Sequence, residues 1–312
     1  MSAAAAAVAA CLALTASDAS AALPTCPGVG AKQSLVREPG QLESAAFDAE
    51  GHLLYTNQSR RQVRALDAPG AATRTVAVGI DSPGGLVLEP GGTMLVGQGN
   101  SVGGLLAPAT GLARLIRFDP ETGEKTTYAR GLSMTNGVVR AADGTVYASD
   151  DFVGSLDRVS PEGRVQRGWY RATDTNGLAL SADGKTLFAN RSFGATRVMA
   201  IDTVTGAHRV HWKPPASQSW VLLDDLDIDA AGNLYANAYL AGEVWRIAPG
   251  GSACALARGL LTAAGITLGS SGAGFSPTSA FVTTHTGSVV EIPRAVPAGR
   301  SVAAGLPPSV AG

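Results

Sequence analysis

Four oxygen-bearing side chains stand at one fixed distance from a turn in similar segments of the chain. Each lies eight positions before a turn glycine, and the four residues are Glu43, Asn136, Asn176 and Asp224. A glycine between alternating apolar segments is typical of a β-hairpin, so these side chains open equivalent strands. Two carboxylates and two amide oxygens are hard ligands that suit Ca²⁺ or Mg²⁺ better than they suit Zn²⁺. The spacing therefore predicts a metal site formed by these four residues, provided that the fold brings the strand starts together.

The alternative is that these residues only cap turns, which is the commoner role of an isolated Asn or Asp at a strand start. Capping does not account for Glu43, and it does not account for the same offset in four segments. We therefore favour the metal site for the set as a whole.

The elements that must position these residues are repeated β-hairpins. Copies of the repeat recur at intervals of 40 to 52 residues and start at Glu43, Gly84, Asn136, Asn176 and Asp224, with a degraded sixth copy from about Ile266. Periods of this length with four short strands per unit predict a β-propeller. The sixth unit has no fourth strand of its own, and an isolated strand at 31–38 can supply it. We predict an all-β, six-bladed β-propeller with four antiparallel strands per blade, closed by the N-terminal strand.

The second strand of each predicted blade returns to the mouth of the channel where the first strand starts. Polar residues stand at its end, and a polar rim on an apolar barrel suits a small polar substrate. We therefore predict that the substrate is bound by Asn57, Asn190, Asn237 and His285. A structural role is the alternative for His285.

Asp150 is the predicted general base, because it ends a second strand without belonging to the metal set. Asp224 is predicted to act in catalysis through the metal that it binds. The alternative for Asp150 is that its side chain only caps the tight turn before Phe152.

Two segments carry a family resemblance. The sequences TNGLALSADGKTLFAN from Thr175 and LDDLDIDAAGNLYANAY from Leu223 resemble the senescence-marker-protein/gluconolactonase/luciferin-regenerating-enzyme family of six-bladed propellers, and the resemblance covers about 38–293. It implies that Glu43, Asn176 and Asp224 bind a divalent metal, usually Ca²⁺, with Asn136 beside the metal and the substrate. It also implies that Asp150 transfers protons.

The chain departs from the family pattern around these residues. Ser44-Ala45 replaces a frequent Gly-Pro, Asp225 replaces a frequent Gly, and three positions that often carry Pro are Thr135, Thr175 and Leu223. The metal quartet is intact, so the resemblance implies a Ca²⁺-dependent hydrolase of a lactone or ester, with Mg²⁺, Mn²⁺ or Zn²⁺ as alternative ions. The other classes left open are a secreted binding propeller with structural Ca²⁺ and a metal-free, strictosidine-synthase-like propeller.

Composition limits the partners. The 312 residues carry a formal net charge of −1, and no cluster of Lys and Arg could neutralise phosphates, so nucleic acid is excluded as a partner. No segment after the N-terminal run has the ~20 consecutive apolar residues that a membrane span needs. We predict a monomer that acts on a small molecule.

The N-terminus predicts export. An apolar, Ala-rich run over 2–22 ends in Ala19-Ser20-Ala21, which fits a signal-peptidase site. We predict a signal peptide over 1–22, a propeller over 23–294, a poorly ordered tail over 295–312, and a secreted or periplasmic protein. A disordered Ala-rich tail and a lipoprotein anchored through Cys11 are the alternatives.

Cys26 and Cys254 remain after removal of the signal peptide, and an even pair in an oxidising compartment predicts a disulfide. Two unrelated thiols are the alternative.

Overall fold

Six four-stranded antiparallel sheets surround one central channel in a computed structural model, which describes residues 22–100, 112–152, 154–171, 174–193 and 195–297. Each innermost strand contacts the innermost strand of the next sheet, and the sixth contacts the first. This arrangement is a six-bladed β-propeller, so the predicted fold is confirmed. The single turn of 3-10 helix, Ala216–Gln218, is the one helical element among the described residues.

The strands of the first three blades follow in chain order from the channel outward. Blade 1 consists of β2 (Leu42–Phe47), β3 (Leu53–Asn57), β4 (Gln62–Leu66) and β5 (Thr73–Val78). Blade 2 consists of β6 (Pro83–Leu88), β7 (Met94–Gln98), β8 (Ala113–Phe118) and β9 (Lys125–Leu132). Blade 3 consists of β10 (Val138–Arg140), β11 (Val146–Asp150), β12 (Ser155–Val159) and β13 (Val165–Arg171).

The last three blades repeat the pattern, except that the outermost strand of blade 6 comes from the N-terminus. Blade 4 consists of β14 (Thr175–Leu180), β15 (Thr186–Arg191), β16 (Arg197–Asp202) and β17 (His208–Trp212). Blade 5 consists of β18 (Leu223–Ile228), β19 (Leu234–Ala238), β20 (Glu243–Ile247) and β21 (Ala253–Ala257). Blade 6 consists of β22 (Ala263–Leu268), β23 (Ala280–Thr284), β24 (Ser288–Ile292) and β1 (Gln33–Arg37).

The ring is closed as predicted, by antiparallel pairing of β1 with β24. Glu38, which follows β1, fastens this junction to blade 1. Its carboxylate accepts hydrogen bonds from Asn57 Nδ2 at 2.8 Å and Tyr55 Oη at 3.2 Å, and it forms an ion pair with Arg64 at 3.0 Å. β1 therefore covers β24, which would otherwise be an open edge of blade 6 and a site for edge-to-edge aggregation.

The hydrophobic core is divided into six clusters, one between each pair of neighbouring blades. Strand alternation produces this division, because one face of each sheet packs on the blade before it and the other face packs on the blade after it. Between blades 6 and 1, for example, Phe47 meets Phe275 and Phe281 edge-on at ring-centroid distances of 5.4 and 5.3 Å. Burial on both faces explains why the strands are apolar at most positions.

The N-terminal segment before β1 lies along the outer strand of blade 5. Thr25 pairs in parallel with Ala255, and Cys26 forms a disulfide with Cys254. The predicted cysteine pairing is confirmed. Arg258 reinforces this junction by donating to Leu23 O and to Thr25 Oγ1.

The structure describes only part of the predicted signal peptide, propeller and tail segments. Residues 1–21, with the predicted cleavage motif and Cys11, lie outside the described residues, as do most of the Gly-rich loop at 97–112 and residues 298–312. Of the predicted tail, Ala295 and Val296 are buried against blade 6, where Arg246 Nη1 donates to Ala295 O at 2.9 Å. Among the described residues, no helix has the length and apolarity needed to cross a membrane.

Candidate metal and active site

A β-bulge interrupts the innermost strands near their first residues. The pairing register shifts between Leu42 and Ala45 in blade 1, and at the equivalent places in blades 2, 4, 5 and 6. A bulge re-aims the side chains at its position. The residues at this point in the six blades are Glu43, Gly84, Asn136, Asn176, Asp224 and Ala264.

Four of these six positions carry a side-chain oxygen that could bind a metal, and the two in blades 2 and 6 carry small residues. The sixth copy starts at Ala264, not at the predicted Ile266, because the bulge sets the register. At Gly84 a small residue is required by close packing, because a Cβ there would clash with Thr135 O.

The structure brings the four predicted metal-binding residues together in the lining of one cavity of about 450 Å³. Glu43, Asn176 and Asp224 are each less than a tenth exposed, and Asn136 is half-buried. The cavity opens at the mouth of the channel where the innermost strands start.

Two observations fit a divalent cation in this cavity. Asn176 Oδ1 is buried and has no hydrogen-bond partner, which is costly for an amide oxygen unless a ligand satisfies it. Burial raises the pKa of Asp224 well above its usual range, and the charges of Glu43 and Asp225 raise it further. A cation would relieve both the unpaired oxygen and the repulsion between carboxylates. The donor set is therefore suited to Ca²⁺ or another hard cation.

Three side chains hold Glu43 in place through contacts on both of its carboxylate oxygens. His285 Nε2 lies 2.5 Å from Glu43 Oε2, and Tyr239 Oη lies 2.8 Å from His285 Nδ1. Asn100 Nδ2 donates to the other carboxylate oxygen of Glu43 at 2.9 Å. Burial alone lowers the pKa of His285, but the hydrogen bond and charge of Glu43 outweigh burial and raise it. His285 lines the cavity as predicted and orients a candidate metal ligand.

The predicted base, Asp150, does not line the cavity, whereas the next residue, Asp151, does. Asp150 is buried in the wall, and its Oδ1 accepts a hydrogen bond from the Phe152 backbone N–H at 3.0 Å. This contact is the turn-capping role considered as the alternative. Burial raises the pKa of Asp151 to about 7, with contributions from the charges of Glu43 and Asp150.

Three predicted substrate-binding residues, Asn57, Asn190 and Asn237, do not line the cavity and are fully buried. Asn190 Nδ2 donates to Asp224 O at 2.9 Å, and Asn237 Nδ2 donates to Ala264 O at 2.5 Å. Each of these two bonds joins a second strand to the innermost strand of the next blade. Thr56 and Thr283 make the corresponding contacts in blades 1 and 6, to Gly84 O and Glu43 O.

The reason for this difference is strand register. Asn190 and Asn237 point toward the next blade, and Asn57 points back toward Glu38. The chain reaches the cavity only after the second strand has ended. The cavity-lining residues at that place are Gln58, Asp151, Ser192, Tyr239 and His285. The sequence could have identified these residues as those that directly follow the last residue of each second strand. A fixed count from the aromatic residue of that strand does not identify them.

The other acidic residues of β18 point away from the cavity. Asp225 Oδ2 accepts from Ile266 N at 3.0 Å, and Asp227 Oδ2 accepts from Leu268 N at 2.9 Å, so both carboxylates join blade 5 to blade 6. Burial raises the pKa of Asp225 to about 7 and that of Asp227 to about 6. Asp225 therefore does not join Asp224 as a candidate metal ligand at this bulge.

A second acidic group lies in the β2–β3 turn, where candidate ligand atoms of Asp48, Glu50 and His52 lie within 4.8 Å of one another. Asp48 already accepts from the backbone N–H groups of Glu50 and His52, at 3.1 and 2.8 Å, and lies 2.9 Å from His52 Nδ1. These bonds are typical of an Asp that stabilises a turn.

Solved structures with the same architecture include enzymes and a calcium-binding protein. A gluconolactonase from Xanthomonas campestris is 18% identical with a TM-score of 0.67, over 84% of this chain and 89% of that one. A luciferin-regenerating enzyme is 13% identical with a TM-score of 0.67, over 89% and 98%. Regucalcin from Agrobacterium tumefaciens, described as calcium-binding, is 18% identical with a TM-score of 0.66, over 84% and 93%.

No curated protein matches the sequence. A family model described as the SMP-30/gluconolactonase/LRE-like region matches residues 43–258, which is more than half of the chain and includes all four oxygen ligands. The chain therefore belongs to the SMP-30/gluconolactonase/LRE-like family.

Proposed function

We propose that this protein is a gluconolactonase-like hydrolase of a lactone or related ester that depends on one divalent cation, with Ca²⁺ the favoured ion. The observation that carries the proposal is that four candidate oxygen ligands and one separate carboxylate line the same cavity. The separate carboxylate is Asp151, whose pKa of about 7 suits a group that accepts a proton at neutral pH. A calcium-binding relative with the same fold supports the choice of ion.

Glu43, Asn176 and Asp224 would hold the cation, with Asn136 beside it. When bound, the cation supplies positive charge that polarises an ester carbonyl and stabilises the developing oxyanion. His285 and Asn100 keep the Glu43 carboxylate in one orientation through hydrogen bonds to its two oxygens. Asn190 fixes the backbone of Asp224 from the neighbouring blade.

Asp151 would act as the general base in place of Asp150. Asp151 lines the cavity, so its carboxylate can accept a proton from water there, and its buried Oδ1 is not engaged by another hydrogen bond. The water oxygen forms a bond to the lactone carbonyl carbon as its proton moves to Asp151. The ring C–O bond then breaks, and Asp151 returns the proton to the leaving alkoxide, so the product is a hydroxy acid.

Hydrolysis of a lactone panel with and without a chelator tests this function. We expect wild-type protein to hydrolyse at least one γ- or δ-lactone in Ca²⁺, and EGTA to abolish the activity until Ca²⁺ is restored. Tight Ca²⁺ binding without hydrolysis of any lactone or aryl ester would favour a binding propeller with structural Ca²⁺. Full activity in EGTA, with metal shown to be absent, would favour a metal-free mechanism.

We also propose that the protein acts as a monomer outside the cytoplasm. The Cys26–Cys254 disulfide supports an oxidising compartment, since structural disulfides persist in secreted and periplasmic proteins. N-terminal sequencing of exported protein tests the proposed signal peptide: a mature chain starting near Ala22 supports it, and one retaining Met1 contradicts it.

A further inference from the structure

The lining of the cavity is divided into a polar side and an apolar side. Among the described lining residues, those of blades 1, 2 and 6 are all polar or charged, namely Gln41, Glu43, Gln58, Ser59, Ser82, Asn100 and His285. The apolar and aromatic ones among the described lining residues all belong to blades 3, 4 and 5, namely Met134, Phe152, Phe193, Leu222, Leu223 and Tyr239. The same three blades also contribute the polar residues Asn136, Asp151, Asn176, Ser192 and Asp224.

The apolar side is built around two aromatic rings. Phe152 and Phe193 are stacked with their ring centroids 6.2 Å apart and their planes 22° from parallel. Phe193 remains 42% exposed although it lines the cavity. A large aromatic surface that is open to water at a cavity wall is a binding surface for apolar groups.

The apolar surface continues outside the cavity on the loops of blade 5. Trp220 precedes the lining residue Leu222 by two positions and is 57% exposed, and Leu240, which follows the lining residue Tyr239, is 45% exposed. The loops are tied together because Leu240 N donates to Val221 O at 3.1 Å. Exposed apolar side chains therefore flank the lining residues of blade 5 in the sequence.

The charge of the cavity also restricts its ligand. Three carboxylates line it, Glu43, Asp151 and Asp224, and no Lys or Arg is present among its described lining residues. One divalent cation would not provide an additional positive group for a carboxylate or phosphate on the substrate. An uncharged substrate is therefore favoured over an anionic one.

We propose that the substrate is an uncharged, amphipathic lactone or ester whose alkyl or aryl substituent packs against Met134, Phe152 and Phe193, rather than a polyhydroxylated sugar lactone. This inference rests on the proposed hydrolase function and specifies its substrate class. At about 30 Å³ per water, the cavity has room for about 15 water-sized groups, so a lactone ring with a substituent fits.

The test is the dependence of kcat/KM on substituent length in the Ca²⁺-loaded protein. The substrates are γ-butyrolactone, γ-octalactone and γ-dodecalactone, with glucono-δ-lactone as the hydroxylated comparison. Each buried methylene should raise kcat/KM about fourfold, so γ-octalactone, with four more carbons, should exceed γ-butyrolactone by about 250-fold. Equal rates across the series, or a preference for glucono-δ-lactone, would overturn the inference while leaving a lactonase in place.

Phe193→Ala should flatten this series by lowering kcat/KM for γ-dodecalactone about tenfold more than for γ-butyrolactone. Val204→Ala is the matched control, because Val204 is an exposed apolar residue, 82% accessible, in the turn between β16 and β17, away from the cavity. The control should keep the wild-type dependence on substituent length. An identical loss in both variants would contradict a role for the aromatic wall.

Calorimetric binding to Asp151→Asn separates this inference from the proposed function. γ-Dodecalactone should bind this variant at least about tenfold more tightly than glucono-δ-lactone, with or without turnover in the wild type. Preferential binding without any wild-type hydrolysis would support the apolar wall and contradict the hydrolase. Hydrolysis by the wild type without preferential binding of γ-dodecalactone would support the hydrolase and contradict the apolar wall.

Discussion

At the residue scale, the site combines carboxylates that would repel one another with an amide oxygen that has no partner. Burial raises the pKa of Asp224, and the charge of the buried Glu43 raises it further. Asn176 Oδ1 lacks a hydrogen bond in the same cavity. Groups that are unfavourable without a ligand are typical of a site built for a cation.

Asp224→Asn should weaken Ca²⁺ binding by at least about 100-fold. The substitution removes a full negative charge at ligand distance, which is worth several kcal/mol even at an effective dielectric constant of about 20. Isothermal titration with Ca²⁺ measures the effect. Asp227→Asn is the matched control on the same strand, because Asp227 points to blade 6, and it should retain wild-type affinity within a few-fold. Wild-type affinity in Asp224→Asn would exclude Asp224 as a ligand.

Asp151 should produce the acidic limb of the pH–rate profile. A base must be deprotonated, and burial raises its pKa to about 7, so kcat/KM should fall about tenfold per pH unit below that pKa. A bound cation acts in the opposite direction, so higher Ca²⁺ concentration should move the limb to lower pH. Asp151→Asn should lower kcat by roughly 10²–10⁴-fold and remove the limb.

Asp150→Asn is the comparison that distinguishes the two neighbouring carboxylates. If Asp151 is the base, the Asp150 variant keeps the acidic limb, because Asp150 caps a turn instead of lining the cavity. A limb that survives in Asp151→Asn and disappears in Asp150→Asn would return the role to Asp150.

At the element scale, Asn190 and Asn237 near the ends of the second strands join neighbouring blades and do not line the cavity. Asn190 fixes the carbonyl of Asp224, a candidate ligand, and Asn237 fixes the carbonyl of Ala264, which carries no ligand. Both asparagines are fully buried and occupy the same place in successive blades. This pair separates the contribution of the interblade bond to stability from its contribution to the site.

Asn190→Ala and Asn237→Ala should both lower Tm, since each loses a buried hydrogen bond between blades. Only Asn190→Ala should also weaken Ca²⁺ binding, by about 10–100-fold, because it releases the strand that positions Asp224. Thermal unfolding and Ca²⁺ titration of both variants measure the two effects. Equal losses of Ca²⁺ affinity would mean that these bonds act on the site only through global stability.

At the scale of the whole molecule, two separate junctions hold the N-terminal region to the ring. β1 completes blade 6, and residues 24–26 pair with the outer strand of blade 5 beside the Cys26–Cys254 disulfide. The disulfide joins cysteines 228 positions apart. Since β1 pairs independently of it, ring closure does not require the covalent bond.

Cys26→Ser combined with Cys254→Ser should lower the free energy of unfolding by up to about 5 kcal/mol, because the unfolded chain is no longer constrained by a long loop. Urea denaturation of oxidised wild type, reduced wild type and the double variant measures this loss. Reductant should shift the wild-type midpoint and leave the double variant unchanged. Identical midpoints for all three would mean that the bond contributes nothing to stability.

The repeat pattern determined much of this protein before any tertiary contact was known. Alternating apolar residues broken by turn glycines specified the strands, and their intervals specified six blades closed by an N-terminal strand. The fixed offset before each glycine also identified Glu43, Asn136, Asn176 and Asp224, which the fold brings into one cavity. These features were readable because strand alternation and turn chemistry are local properties of the chain.

The tertiary structure decided which polar residues face the cavity. Asp150 and Asp151 are adjacent and identical in type, so only the exit of the chain from β11 determines that Asp151 lines the cavity. Asn190 and Asn237 resemble substrate ligands in sequence, but neighbouring blades receive their side chains. The division into polar and apolar walls also depends on which blades meet around the channel. Such placements follow from register and blade packing over long sequence separations, which no local pattern encodes.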